Sequence, residues 1–239
     1  MKIYADLHIH SYVSDGEPSP VEIVKYSLKK GLNIISVTDH DTFLGSILAL
    51  NAAKDLGKVL VVPGAEVRTL WGDVLVLCRD PIKVLQNPVE LCEEAQRNSC
   101  VLIPAHPFDL LRLGIGSRVR YRTLWDGYEV FNSSSDPLAN LISFIYLKDL
   151  GKPLLSNSDA HTLEGIGISR NIIEIDEMTV DDGLEAIRRG LIEALPGYSV
   201  YSLISKLRWS LRLRSFSKTL KSRRMLFQRS QESLLHASI

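Results

Sequence analysis

Ile3-Tyr4-Ala5-Asp6-Leu7-His8-Ile9-His10 opens the chain as a short β-rich run that finishes on two histidines. Residues two apart in an extended segment face the same way, so His8 with His10, and further along Asp159 with His161, each present two donor groups to one cavity. Next, Ser19-Pro20-Val21-Glu22 supplies a helix cap, a proline at the first helical position and an acid in the first turn. A second β-rich run, residues 33–38, then ends on Asp39-His40. Strand, helix and strand in this order imply a parallel sheet whose strand C-termini share one face.

The alternation continues along the chain. Further β-rich runs cover residues 59–63, 74–78, 101–105, 127–131, 154–157 and 171–175, and helices are expected over 42–56, 88–98, 137–150 and 180–189. Lys30-Gly31 and Leu150-Gly151 are helix stops. A chain of 239 residues with 45% hydrophobic content buries a full-sized core, so one main domain is expected. No stretch approaches the roughly 18 apolar residues of a membrane span, and Asp6 and His8 stand where a signal peptide would be apolar. A soluble, cytoplasmic protein is expected. Cys78, Cys92 and Cys100 lack CxxC spacing and sit among apolar residues, which predicts buried thiols in a reducing compartment.

Every candidate ligand is expected at or just after the end of a strand, so that the set converges on one rim. Four fragments, His8-Ile9-His10, Asp39-His40, Ala105-His106-Pro107 and Asp159-Ala160-His161, hold five of the six histidines. With Asp15, Glu66 and Asp73 the candidate metal ligands are His8, His10, Asp15, His40, Glu66, Asp73, His106, Asp159 and His161. His40 is assigned to metal and Asp39 to a supporting hydrogen bond, with a helix cap before Thr42 as the other reading of Asp39. Asp15-Gly16 reads as a turn that aims the carboxylate. Pro107 favours an extended backbone at His106. Glu66 ends an apolar strand, where an unpaired carboxylate would be costly. Nitrogen and oxygen donors without thiolate suit Zn²⁺, Mn²⁺ or Fe²⁺.

Taken together, Asp6-Leu7-His8-Ile9-His10-Ser11, Ser14-Asp15-Gly16, Thr38-Asp39-His40-Asp41, Gly64-Ala65-Glu66, Ala105-His106-Pro107 and Ser158-Asp159-Ala160-His161 resemble the PHP (polymerase and histidinol phosphatase) superfamily of metal-dependent phosphoesterases. The resemblance implies a distorted (β/α)7 barrel over residues 1–200. It also implies two to three divalent ions: one on His8, His10 and Asp159 with bridging Glu66, one on Asp15, His40 and His161, and a third on Glu66, His106 and a residue soon after Glu66. Relatives often carry histidine at that last position; here Trp71-Gly72-Asp73 offers Asp73, which also reads as a turn residue before a strand. Glu66, Asp159 and His161 are the implied catalytic residues, with a metal-bridged hydroxide as nucleophile and an arginine on the phosphate. Arg170 is the first candidate for that grip, followed by Arg118, Arg120 and Arg122.

The net charge of zero hides an asymmetry, because residues 206–229 hold nine Lys and Arg and no acid. A basic helical extension over 201–239 is expected, either closing the barrel with its cations in water or contacting nucleic acid or a membrane surface. The implied function is hydrolysis of a phosphate ester of a small metabolite or nucleotide, of the nucleoside bisphosphate or histidinol-phosphate type. The alternatives are an exonuclease trimming short RNA or DNA ends and a non-catalytic nucleic-acid-binding subunit.

Overall fold

The structure is a computed structural model that describes residues 1–198. The basic segment expected over 201–239 lies outside the described residues. Strand β1 (Lys2–Ile9), helix α1 (Pro20–Lys29), strand β2 (Ile34–Val37), helix α2 (Leu44–Leu56) and the short β3 (Leu60–Val61) form the anticipated parallel start, with β1 paired to β2 and β2 to β3. Helix α1 begins with a reciprocal capping box, the Ser19 hydroxyl accepting from the Glu22 amide while the Glu22 carboxylate accepts from the Ser19 amide. Helix α2 stops at Gly57, whose φ of 66° is the left-handed turn that glycine adopts without a Cβ clash.

Beyond β3 the chain departs from the parallel pattern. Strands β4 (Gly64–Thr69) and β5 (Gly72–Leu77) form a tight hairpin, and after helix α3 (Pro88–Arg97) strand β6 (Val101–Pro104) joins β5 antiparallel. A connection of only Leu70 and Trp71 can join β4 and β5 no other way. Strand β7 (Tyr128–Asn132), helix α4 (Pro137–Leu147) and strand β8 (Leu154–Asn157) make a second parallel unit. Strand β9 (Arg170–Glu174) returns antiparallel to β1, and after helix α5 (Val180–Arg188) strand β10 (Ile192–Leu195) pairs antiparallel with β9.

The ladders therefore fall into three separate sheets, β10-β9-β1-β2-β3, β4-β5-β6 and β7-β8. A closed (β/α)7 barrel with all strands parallel is not what the described residues form; the architecture is mixed α/β. Two isolated bridges, His40 to Glu66 and Ile9 to Ala160, tie neighbouring segments together, and both lie at the candidate ligands. Aliphatic side chains such as Leu7, Ile34, Leu75, Ile103 and Leu155 fill the interior between the sheets. No helix among the described residues is long and apolar enough to cross a membrane.

The cysteines also depart from expectation. The β5–β6 register pairs Leu77 with Val101, which sets Cys78 against Cys100, and the two form a disulfide. Only Cys92, buried on α3, keeps its thiol.

Candidate metal centre

Strand β1 carries His8 and His10 to full burial on one side, as the two-residue period requires. The turn that follows is organised by Asp39, whose carboxylate accepts from the Ser11 amide at 2.8 Å, the Ser11 hydroxyl at 2.6 Å and the Ser14 hydroxyl at 2.7 Å. Asp39 thus makes supporting bonds, and what they hold in place is the turn that presents Asp15. Gly16 is tight against this turn, since a Cβ there would lie 2.3 Å from the His10 carbonyl oxygen. His40 follows β2. Glu66 lies within β4 rather than at a strand's end, and the bridge between His40 and Glu66 brings the two together. His106 follows β6, and Asp159 and His161 follow β8.

These side chains meet around Glu66. Its Oε2 lies 3.4 Å from His8 Nε2, 3.2 Å from His10 Nε2 and 3.2 Å from His40 Nδ1, while Oε1 lies 3.0 Å from His106 Nε2. Asp159 Oδ1 is 3.6 Å from His8 Nε2, 3.3 Å from His10 Nε2 and 3.5 Å from His161 Nδ1. Asp15 reaches His40 and His161 at 3.4 Å each. Four groups of three have ligand atoms mutually close enough for one ion: His8-Glu66-His106, His8-His10-Asp159, His10-Asp15-His161 and His10-His40-Glu66. His8 Nε2 and His10 Nε2 stand 3.1 Å apart, and Asp159 Oδ1 is buried without a hydrogen-bond partner. Buried lone pairs aimed at one another and at shared carboxylates fit divalent cations.

The electrostatics carry the same signature. Burial opposes charge on every member, yet the clustered imidazoles hold Glu66 well below the usual carboxylate range, and Arg112 with His8 does the same for Asp159. Burial would lower His10, but the Asp159 and Glu66 carboxylates overcome it and raise its pKa to about 10. His161 is lowered, by burial and by the neighbouring His10.

Two backbone expectations are corrected. His106 is not extended; its φ of 30° is left-handed, because its amide is drawn to Glu129 Oε2 at 2.7 Å and its carbonyl accepts from the Asp109 amide at 2.9 Å. Asp159 is likewise left-handed, with φ of 50°, so Asp159 and His161 face one cavity through a turn and not through strand alternation. Such conformations cost energy in residues with a Cβ, and the surrounding hydrogen bonds hold them.

Asp73 is buried on β5 and lines the same cavity of about 290 Å³ as Asp15, His40, Glu66, His106 and His161, but it belongs to none of the four donor groups. Its carboxylate faces Arg68 Nε at 3.4 Å, and burial, reinforced by Glu66, raises its pKa to about 6. Arg170 is not brought to the cavity: its guanidinium lies 4.4 Å from the centre of the Tyr4 ring. Arg118, Arg120 and Arg122 do not line the cavity either, and Arg122 donates to the Leu150 carbonyl. Two other arginines do line it, Arg68 and Arg112; Arg112, in a 3-10 turn after His106, donates to Asp159 Oδ2 at 2.5 Å and keeps a buried Nε without a partner.

Sequence reasoning also missed Glu129. Fully buried on β7, it receives bonds from His8 Nδ1 at 3.0 Å, the His106 amide, Asn132 Nδ2 at 3.0 Å and Asn157 Nδ2 at 2.9 Å. Donation of the Nδ1 proton to Glu129 leaves His8 Nε2 as a lone pair facing Glu66 and Asp159. The available signal was a lone acid inside the apolar run Tyr128-Glu129-Val130-Phe131.

Residues 6–111 match the PHP domain family, and residues 137–192 match the PHP-associated family. An uncharacterized protein of Methanocaldococcus jannaschii, MJ1587, is 32% identical over 141 residues, which cover 54% of this chain and 81% of that one. The chain belongs to the PHP family. This PHP protein is also 44% identical over 66 residues to a 5'-3' exoribonuclease of Haemophilus influenzae, covering 28% of this chain and 24% of that one. Among solved structures, a two-domain protein from Bacteroides vulgatus containing a predicted PHP-like metal-dependent phosphoesterase superposes with a TM-score of 0.67 at 20% identity, over 82% of this chain and 65% of that one. The PHP protein thus spans most of the archaeal relative, about a quarter of the exoribonuclease and just under two thirds of the solved chain.

Proposed function

We propose that this PHP-family metal-dependent phosphoesterase hydrolyses a phosphate ester of a small metabolite or nucleotide. The observation that carries the reading is the convergence of eight buried or part-buried donors, Glu66 and Asp159 among them, beside Arg112. His8, His10 and Asp159, with Glu66 shared, would hold one divalent ion, and Asp15, His40 and His161 a second. Such ions supply Lewis acidity at phosphorus and a water of lowered pKa near neutrality.

The chain's own groups supply the rest. Arg112, neutralised on one side by Asp159, has an Nε–H left to donate to a phosphate oxygen, which is the role the sequence had suggested for Arg170. Glu129 keeps His8 in the tautomer that ligates. Two divalent ions and Arg112 set five positive charges against the four carboxylates of Asp15, Glu66, Glu129 and Asp159, so the loaded cavity attracts anions.

The test is release of phosphate from an aryl phosphate and a nucleotide panel by protein loaded with Mn²⁺ or Zn²⁺, with His8→Ala expected to abolish it. Equal inertness of wild type and variant across the panel overturns the reading. Similarity to the exoribonuclease favours a second substrate reading, the trimming of short RNA or DNA ends. A labelled 5'-phosphorylated oligonucleotide separates the two: stepwise shortening marks the nuclease, loss of the terminal phosphate alone marks the phosphatase.

A further inference from the structure

We infer that the centre takes two divalent cations and not three, and that Arg68, held by Asp73, supplies positive charge at the cavity in place of the third. The inference rests on the metal-centre reading above and deepens it. A third ion would draw on Glu66, His106 and a residue shortly after Glu66. Glu66 Oε1 and His106 Nε2 do face each other at 3.0 Å. The third side chain that completes a group with them is His8, which the His8-His10-Asp159 group already engages.

Asp73, the residue on hand after Glu66, is committed elsewhere. The β4–β5 register places Arg68 directly across from Asp73, and cross-strand neighbours of opposite charge pair by geometry built into the ladder. Both backbones are pinned, since the Arg68 amide donates to Asp41 Oδ1 at 2.9 Å and the Asp73 amide to the Leu113 carbonyl at 2.9 Å. The Arg68 side chain is half-exposed, lines the cavity and meets Asp73 through Nε, which leaves its terminal nitrogens for a ligand. An arginine fork is suited to an anion's oxygens. A carboxylate that lies 2% exposed with a cross-strand guanidinium within ion-pair distance already has a cationic partner.

The experiment counts ions on full-length protein, stripped with chelator, reloaded with Mn²⁺ or Zn²⁺, desalted and analysed by elemental mass spectrometry. Two ions per chain are expected for wild type and for Asp73→Asn, and a third is expected to appear in Asp73→His. A wild-type count other than two, or a count that falls in Asp73→Asn, overturns the inference. The second arm measures inorganic phosphate binding to the loaded protein by calorimetry. Arg68→Gln is expected to weaken it at least tenfold with the ion count unchanged; equal affinity overturns the role given to Arg68. Two ions with no ester hydrolysis would remove the preceding functional reading and leave this count standing, while three ions with hydrolysis would do the reverse.

Discussion

Glu129→Gln changes one atom of a buried carboxylate in which each oxygen accepts two bonds: Oε1 from His8 Nδ1 and Asn157 Nδ2, Oε2 from the His106 amide and Asn132 Nδ2. Whichever side the new amide nitrogen takes, it faces two donors. On the Oε2 side it meets the His106 amide, which cannot turn. On the Oε1 side it leaves Asn157 Nδ2 without its acceptor and donates to His8 Nδ1, shifting the imidazole proton to Nε2 and removing the lone pair that faces Glu66. One or two buried donors left unpaired cost about 1–3 kcal/mol each, so a loss of roughly 2–5 kcal/mol is expected. At about 2–4 °C per kcal/mol for a chain of this size, the melting point should fall by on the order of 5–15 °C. Metal affinity should drop roughly 10- to 100-fold, the usual effect of losing a partner behind a ligating histidine. Calorimetric melts of the stripped and loaded protein, with competition against a chromophoric chelator, measure both. A variant with wild-type melting point and metal affinity would refute the claim that Glu129 sets the His8 tautomer.

Chelation should lower the melting point, and the deficit should widen with pH. His10 has its folded pKa raised from 6.5 to about 10, so the stabilisation from its protonated form is complete below 6.5 and is lost as pH rises through about 10; a chelated protein whose melting point is flat over that window contradicts this. Reduction, or Cys78→Ser, should cost about 3 kcal/mol for a link that closes a segment of 22 residues, read as a lower melting point, whereas Cys92→Ser should leave the sensitivity to reductant in place. Arg112→Gln should raise KM for an aryl phosphate more than it lowers kcat, and steady-state kinetics showing an unchanged KM would remove Arg112 from phosphate binding.

The parts of the molecule that could be read in the chain are those governed by local rules. The capping box at Ser19, the proline-led starts of α3 and α4, and the two-residue period that turns His8 and His10 inward all depend on neighbours in sequence, and each appears in the structure. What could not be read depends on partners far along the chain. Alternation marks residues 74–78 and 101–105 as strands but is silent on direction, so the antiparallel sheet of β4, β5 and β6 was hidden, and with it the opposition of Cys78 and Cys100. Proline at 107 biases His106 toward extended backbone, and a hydrogen bond to Glu129 from another strand overrides that bias. Arg112 and Arg170 look alike in sequence; only the turn at 110–112 aims one of them at Asp159.

The bridge between Ile9 and Ala160 joins the first strand to the segment that bears Asp159 and His161. A nascent polypeptide emerging from the ribosome cannot complete the ligand set until those last two side chains have been synthesised and docked. A fragment stopping at residue 111, although it spans the whole PHP match, would lack Asp159, His161 and the Glu129 that orients His8. Two of the four donor groups, His8-Glu66-His106 and His10-His40-Glu66, lie within that fragment, but the complete set exists only once the later segment has docked.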